Sequence, residues 1–432
     1  MLILIRWPIR VFAQSPTTSL RIIPRISLTL LPAPPKKLIN TSMKILIIRF
    51  RQMGDAVLAT SLIDNLKANF PDAQIDFVLN DRLADLFRGH PAISRIITFS
   101  DRERHQPLRY IWKIFRLMAF GRYNAIIDMR STANTLPFTI FSPLSRLRIG
   151  LRKGYTRPFF NHAFPRRVDG EDMITHNLRF LEPFSRLLPQ GRQLTLRRSI
   201  SLHISESERA DYRRYLIGEG LDLSRPILLC GVVSKLAFKT WPPAYMTDIL
   251  GRIIDRYPDL QLVLNYAPGA EEEAARDIFR RLDSPRNIYI NVKAASMRQL
   301  VALASFSTAY FGNEGGARHI VHAVGRPSFV IVSPSIDPVT WVPQRTLPSA
   351  SLCRGGMAGS LADGSSADGT SAAGSSADGA EASAFIPAVA VSPADFIPAG
   401  TRASMSATEQ YAAMTPDALW PILYPYLDRW LR

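Results

Sequence analysis

From Met43 onward the chain alternates short apolar runs with stretches of helical periodicity. The run Met43-Lys44-Ile45-Leu46-Ile47-Ile48-Arg49-Phe50 opens the pattern, and strands are predicted over 43–50, 75–80, 95–99, 124–129 and 147–150. Helical spacing falls near 56–69, 82–89, 108–120 and 135–144, and a longer amphipathic segment covers 172–188. After a linker around 189–203 the alternation resumes. Strands at 226–232, 260–265, 287–290, 308–311 and 327–332 bracket helices at 243–257, 270–282, 296–304 and 317–324. Apolar runs too short for helices, separated by helical segments, are the signature of parallel strands with crossover helices. Two such blocks in succession predict an α/β chain of two Rossmann-like, doubly wound domains, at 43–200 and 201–345. Ligands of such sheets bind outside the carboxyl ends of the strands, so the loops there should carry the chemistry.

Three segments break the alternation. Residues 1–42 mix Arg6, Arg10, Arg21 and Arg25 with apolar side chains, hold no acid, and end near Pro32-Ala33-Pro34-Pro35. They read either as a basic targeting or interfacial extension or as the product of a start codon placed before the true one, because a domain opening at Met43 needs nothing ahead of it. Residues 346–410 are expected to be a flexible insertion, since within 354–384 the run Ser365-Ser366-Ala367-Asp368-Gly369 recurs as Ser375-Ser376-Ala377-Asp378-Gly379. So much Gly, Ser and Ala cannot offset the entropy of ordering. Residues 411–432, with Thr415-Pro416-Asp417 ahead of Trp420, Ile422, Leu423, Tyr426 and Leu427, predict a packed terminal helix.

Charge adds a direction to this picture. Of the net +17, residues 1–42 carry +6 and 43–200 carry +13, while 201–432 carry −2. A basic first half implies an anionic partner: a phosphorylated substrate, an acidic membrane or nucleic acid. The two cysteines, Cys230 and Cys353, have no metal-ligand spacing, so neither a disulfide nor structural zinc is expected. No apolar stretch approaches the ~20 residues of a membrane span.

Four strand-to-helix loops could carry chemistry. In Arg49-Phe50-Arg51-Gln52-Met53-Gly54-Asp55, Gly54 permits a tight turn and Asp55 falls at or near a helix N-cap. Asp55 is thus either a cap or a carboxylate poised as a general base. The loop lacks the GxGxxG fingerprint, which disfavours a dinucleotide oxidoreductase. In Gly231-Val232-Val233-Ser234-Lys235-Leu236-Ala237-Phe238-Lys239-Thr240-Trp241-Pro242-Pro243, Ser234, Lys235 and Lys239 near a proline-started helix could hold a diphosphate. In Phe311-Gly312-Asn313-Glu314-Gly315-Gly316-Ala317-Arg318-His319, Gly315 and Gly316 would let amides at a helix start meet phosphate oxygens. His319 and His322 lie one turn apart without a third ligand nearby, so no metal is expected. Gly269-Ala270-Glu271 offers a carboxylate for ribose hydroxyls, or simply an acidic first turn.

Taken in order, these loops resemble glycosyltransferase family 9, the ADP-heptose:lipopolysaccharide heptosyltransferases. The likeness runs from Met43 to about Ser335 and returns faintly near 411–432. It rests on Arg49 to Asp55, Lys239 to Pro243, Gly269 to Glu271 and Asn313 to His319, with Arg148-Ile149-Gly150 and His176 as lesser matches. The resemblance implies a GT-B fold, two Rossmann-like domains facing a cleft, with acceptor on the first and sugar nucleotide on the second. It implies Asp55 as catalytic base and Lys239 as the cation on the diphosphate. Donor contacts would come from Ser234, Lys235, Glu271, Glu314, Gly315, Gly316 and His319, and acceptor contacts from Arg51, Arg130, Arg148 and His176. Glu314 departs from the family's usual Asp, which leaves the donor sugar open.

The implied reaction is inverting transfer of heptose from ADP-heptose to the inner core of lipopolysaccharide, a Kdo-bearing lipid A, without an obligatory metal and without nucleic acid. The rivals are a relative using another nucleotide sugar and glycan, and an inactive sugar-nucleotide-binding relative. A cytoplasmic enzyme in peripheral contact with the inner membrane is expected. Leu108–Phe120 and Arg152–Arg167 interleave basic and aromatic residues, as a membrane-facing helix would, although a crossover helix with a wet basic edge reads the same way.

Overall fold

The computed structural model describes residues 43–166, 168–342, 345–346 and 388–431. The expectations for residues 1–42, for the repeats within 354–384 and for Cys353 lie outside the described residues. Two parallel sheets organise the rest. The first joins β1 (Lys44–Ile48), β2 (Gln74–Asn80), β3 (Arg95–Phe99), β4 (Ala125–Asp128), β5 (Leu147–Leu151) and β6 (His162–Phe164) in the order β3-β2-β1-β4-β5-β6. The second comprises β7 (Ile227–Gly231), β8 (Gln261–Leu264), β9 (Ile288–Tyr289), β10 (Ala309–Asn313), β11 (Ser328–Ile331), β12 (Arg345–Thr346) and β13 (Ala388–Val391). Its order is β12-β13-β11-β10-β7-β8-β9. Both orders reverse beside their first strand, between β1 and β4 and between β7 and β10. This is the doubly wound topology, and the GT-B fold places the two crevices at those reversals.

The apolar runs explain the sheets. Ile45, Leu46, Ile47 and Ile48 are all fully buried, because helices cover both faces of a parallel strand and no polar alternation is needed. Glycine sets the closest approach in the second sheet. Gly312 has φ +145°, and a Cβ there would come within 2.4 Å of the Gly231 carbonyl oxygen.

The structure corrects several expected elements. The helix expected over 56–69 is two pieces, Met53–Leu58 and Thr60–Asn69. Asn177 Nδ2 donates to the Leu58 carbonyl (2.9 Å), while Thr60 and Ser61 hydroxyls donate to Val57 and Leu58. Side chains that take ladder carbonyls bend a helix. The segment at 172–188 is a helix, Met173–Leu178, followed by a 3₁₀ stretch, Arg179–Leu187, because Pro183 has no N–H for the next α turn. Residues 82–89 are 3₁₀ as well, over Asp81–Phe87, and the helix near 135–144 shrinks to Leu136–Ile140. Strand β6 and the helix Glu206–Gly218 went unassigned by the apolar pattern; β6 hides inside the basic-aromatic run.

The largest correction concerns 346–410. Its final part is ordered: β13 inserts between β11 and β12, and the helices Ala399–Ala403 and Ala407–Ala412 follow. The second domain is therefore completed by chain from beyond the low-complexity repeats. The terminal helix Pro416–Leu431 packs Leu419, Leu423 and Leu427 into the same core as Trp241 and Phe329. Among the described residues no helix is long and apolar enough to cross a membrane.

Candidate active site

The loops after β1 and β10 meet face to face. Gly54, in the helix Met53–Leu58, lies against His319, so closely that a Cβ on Gly54 would stand 2.7 Å from His319 Cδ2. Gly316, the first residue of the helix Gly316–Ala323, leaves its space to the tip of Met53. The two glycines thus serve close approach of the two halves, and bring Asp55 of the first half within electrostatic reach of His319 of the second.

Asp55 is not a cap. Gln52 holds the N-cap position, Asp55 is the third helical residue, and both carboxylate oxygens are taken by arginines instead. Arg49 Nη2 donates to Oδ1 at 2.8 Å and Arg51 Nε to Oδ2 at 3.1 Å. Arg49 is buried and also donates to the Met129 carbonyl at 3.0 Å, whereas the Arg51 side chain is 42% exposed. One partner is buried and the other reaches solvent. His176 stands behind this pair, its Nδ1 3.3 Å from Glu171 Oε2 and its pKa lowered by burial.

Across the cleft, Lys239 Nζ pairs with Glu314 Oε2 at 3.0 Å, and His319 Nε2 lies 3.7 Å from Glu314 Oε1. Burial, with Arg318 alongside, lowers His319 to about 4, so the imidazole is neutral at pH 7. Burial would raise the Glu314 carboxyl, but His319, Arg318 and Lys239 outweigh it and bring it down to about 2. Glu314 is therefore a fixed negative charge and the partly exposed Lys239 its counter-ion.

Asn313 holds this arrangement together. Its Oδ1 accepts from the Trp241 amide at 2.8 Å, and its Nδ2 donates to the carbonyls of Gly231 and Val232. Trp241 is fully buried, with Nε1 donating to Met414 at 3.0 Å, and anchors the lysine loop. Ser234 is held by its amide on Thr240 Oγ1 (3.1 Å), and Lys235 is exposed nearby. Gly315 caps the helix Gly316–Ala323 with open space where a side chain would be. Glu271 accepts from the Ala267 amide (3.2 Å), so its carboxylate steadies its own loop at the end of β8.

Beside Asp55 opens a cavity of about 290 Å³ whose lining includes Arg51, Arg82, Arg104 and Arg130, with no carboxylate among its described residues. Asn80, also in its wall, has a buried Oδ1 without a partner. Arg130 donates to the Phe50 carbonyl (2.9 Å) and is presented by a turn that Asp128 builds, its Oδ1 accepting from the amides of Arg130 and Ser131. Arg148 does not join them. It sits near the amino end of β5, its guanidinium spent on the carbonyls of Pro143, Ser145 and Phe159, so its expected acceptor contact gives way to a structural place.

Sequence reasoning missed Arg82, Arg104, Asp128 and Arg318. The first two stand in different elements, Asp81–Phe87 and Asp101–Arg104, and only the fold gathers them. Asp128 had a local signal, as a carboxylate closing an apolar strand. Arg318 is fully buried, donates to the Trp341 carbonyl (2.6 Å) and leaves Nε and Nη1 without partners.

No known family profile matches the chain. Among individual proteins it is 23% identical over 300 residues to lipopolysaccharide heptosyltransferase 1 of Campylobacter coli, covering 67% of this chain and 83% of that protein. It is 22% identical over 303 residues to lipopolysaccharide heptosyltransferase 3 of Escherichia coli K12, covering 68% and 83%. Among solved structures, a glycosyl transferase family 9 protein from Veillonella parvula DSM 2008 superposes with a TM-score of 0.63 at 14% identity, over 88% of this chain and 97% of that one. Escherichia coli ADP-heptose lps heptosyltransferase II gives 0.54 at 21% identity, over 69% and 87%. Escherichia coli heptosyltransferase WaaC with ADP gives 0.53 at 17% identity, over 69% and 89%. With the paired sheets and the loops at their reversals, these likenesses identify the chain as a glycosyltransferase of GT-B fold that resembles the family 9 lipopolysaccharide heptosyltransferases in sequence and architecture.

Proposed function

We propose that the chain transfers a heptose from ADP-heptose to the inner core of lipopolysaccharide with inversion at the anomeric carbon, working at the cytoplasmic face of the inner membrane. The observation that carries this reading is the placement of Asp55 near His319, which in turn stands beside Glu314 and its partner Lys239, the two loops lying at the reversal points of their sheets. The sugar nucleotide would lie on the second half, its diphosphate against Lys239, Ser234, Lys235 and the amides following Gly315, and its ribose near Glu271. The acceptor's anionic groups would lie in the arginine cavity, with Arg51 and Arg130 at its inner end.

In this scheme the acceptor hydroxyl displaces Arg51 from Asp55 Oδ2, while Arg49 keeps Oδ1 and holds the carboxylate in place. Asp55 takes the proton as the hydroxyl oxygen attacks the anomeric carbon. The bond from that carbon to the diphosphate oxygen breaks, and ADP leaves with the electron pair. Lys239, drawn from Glu314 toward the diphosphate, and the helix amides offset the charge that develops. Neutral His319 can donate one hydrogen bond without adding charge to the pocket.

A second reading, transfer from another nucleotide sugar, is favoured by Glu314. Its carboxylate is carried on one methylene more than the family's usual Asp, which would change the contact offered to a donor sugar. Incubating the protein with a panel of nucleotide sugars and truncated lipopolysaccharide cores, read by mass spectrometry, tests both. Heptose addition to a Kdo-bearing acceptor is the expected result. A product with a different sugar selects the second reading, and no product with any pair refutes both.

A further inference from the structure

The helix Pro107–Gly121 has three kinds of side where a helix packed on a sheet needs two. Tyr110, Ile114 and Met118, at i, i+4 and i+8, enter the core with Phe50, Phe99 and Phe138. Leu108, Ile111, Trp112 and Phe115, at i, i+3, i+4 and i+7, form a second apolar stripe that faces solvent, with Leu108 88% and Trp112 58% exposed. Arg109, Lys113 and Arg116 make the third, a basic stripe along the flank of the second. Trp112 and Phe115 stack on each other at 5.5 Å, and Phe115 meets Phe141 edge-on. Ile140 and Leu144 of the following segment are exposed as well.

Core packing leaves this second stripe unexplained. Monomer surfaces seldom gather so many large apolar side chains without an occupant. The charge beside them says which occupant fits. A cavity of about 580 Å³ opens along the basic flank, lined by Lys44, Arg95, Arg109, Lys113 and Arg116 with Trp112 at its edge. Its acid, Glu103, is already paired with Lys113 at 2.7 Å. A protein partner usually meets an apolar core inside a mixed polar rim. An apolar stripe bordered by the exposed Arg109 and Arg116 fits the boundary between acyl chains and anionic headgroups.

We propose that this face docks on an anionic phospholipid bilayer, with Leu108, Ile111, Trp112 and Phe115 entering the headgroup–acyl boundary and Arg109 and Arg116 against lipid phosphates. Docking would also orient the enzyme. Tyr110 Oη donates to the Asn134 carbonyl at 2.7 Å, and both Asn134 and Arg104, which precedes the helix, line the arginine cavity beside Asp55. An acceptor carried in the same bilayer would enter that cavity from the docked side; this consequence rests on the function proposed above, whereas the docking surface does not.

The test is sedimentation of the full chain with phosphatidylcholine vesicles, with and without phosphatidylglycerol. Binding should require the anionic lipid. Trp112→Ser/Phe115→Ser and Arg109→Glu/Arg116→Glu should each weaken it by roughly tenfold or more, with melting temperature and donor turnover on a water-soluble acceptor unchanged. Residues 1–42 are present in every variant, so a loss belongs to this face. Equal wild-type binding to neutral and anionic vesicles, or variants that bind like wild type, would overturn the proposal. So would a wild-type dimer that both variants dissolve, since the face would then be an interface between copies. Absence of heptose transfer with intact vesicle binding refutes the proposed reaction and leaves the docking surface standing.

Discussion

Replacing Asp55 by Asn separates chemistry from architecture, and the structure allows both effects to be sized. Asn keeps the shape of the side chain and one acceptor oxygen, so Arg49 can retain a hydrogen bond there as well as its bond to Met129. What disappears is the negative charge facing a guanidinium whose side chain is 5% exposed. Turning a charge-assisted bond into a weaker one beside a buried cation should cost roughly 1–3 kcal/mol. Folding should therefore survive with a lowered melting temperature. Transfer should suffer far more, because an amide takes up no proton: a loss on the order of 10²–10⁴ in rate, or about 3–5 kcal/mol in barrier. The double variant Arg49→Met/Asp55→Asn removes the stranded cation too. Exchanging a buried ion pair for apolar or neutral groups is often neutral in stability, so its melting temperature should recover while its transfer rate does not. Circular dichroism melts and mass-spectrometric transfer rates at saturating donor measure the two quantities. Transfer by Asp55→Asn within a few-fold of wild type, at a temperature where both are folded, would refute the general-base assignment. Transfer that returns along with stability in the double variant would show the loss to be structural.

Other outcomes follow from the same geometry. Lys239→Ala should lower kcat by roughly 10²–10³ in the same transfer assay, and it also strands the buried Glu314 carboxylate, so its melting temperature should fall. Arg130→Ala should raise the acceptor KM, whereas Arg148→Ala should lower the melting temperature and leave that KM within a few-fold, because Arg148 holds carbonyls rather than lining the cavity. Burial pushes the Asp64 carboxyl up to about 6 against the hydrogen bond from Ser201, while the unfolded chain titrates near ~3.9. The folded state then binds the proton more tightly, so this group's stabilisation is complete below about 4 and is lost as pH rises through about 6. Burial lowers His90 beside it to about 4, which works in the opposite sense, so the quantity to measure is wild-type minus Asp64→Asn stability by urea denaturation across that window. A difference that does not vary with pH would contradict the assignment.

The chain's own pattern determined the two-sheet plan. Runs such as Ile45 to Ile48 and Ile227 to Cys230, too short for helices and rich in β-branched or aliphatic residues, read as strands buried on both faces, and the helical spacing between such runs makes the strands parallel. Parallel topology with loops at the carboxyl ends already placed Asp55, Lys239, Glu314 and His319 among the candidates, because each stands in a loop or first helical turn that follows a strand. What the sequence could not decide was distance between elements far apart in the chain. Whether Asp55 caps a helix or binds two arginines depends on where Arg49 and Arg51 point once β1 is clamped between β2 and β4. The arginine cavity draws on residues 51, 82, 104 and 130, which share no local periodicity and converge only because β1, β2, β3 and β4 end at one edge of the sheet. Arg148 carried a motif yet stands near the opposite edge, since a strand's two ends lie a sheet's width apart. Strand β13 lay concealed behind the low-complexity repeats because four short residues, Ala388 to Val391, become a strand only through the ladders with β11 and β12. Local preference determined which segments were strands and helices; long-range pairing and close approach at Gly54 and Gly316 decided which side chains share a cleft.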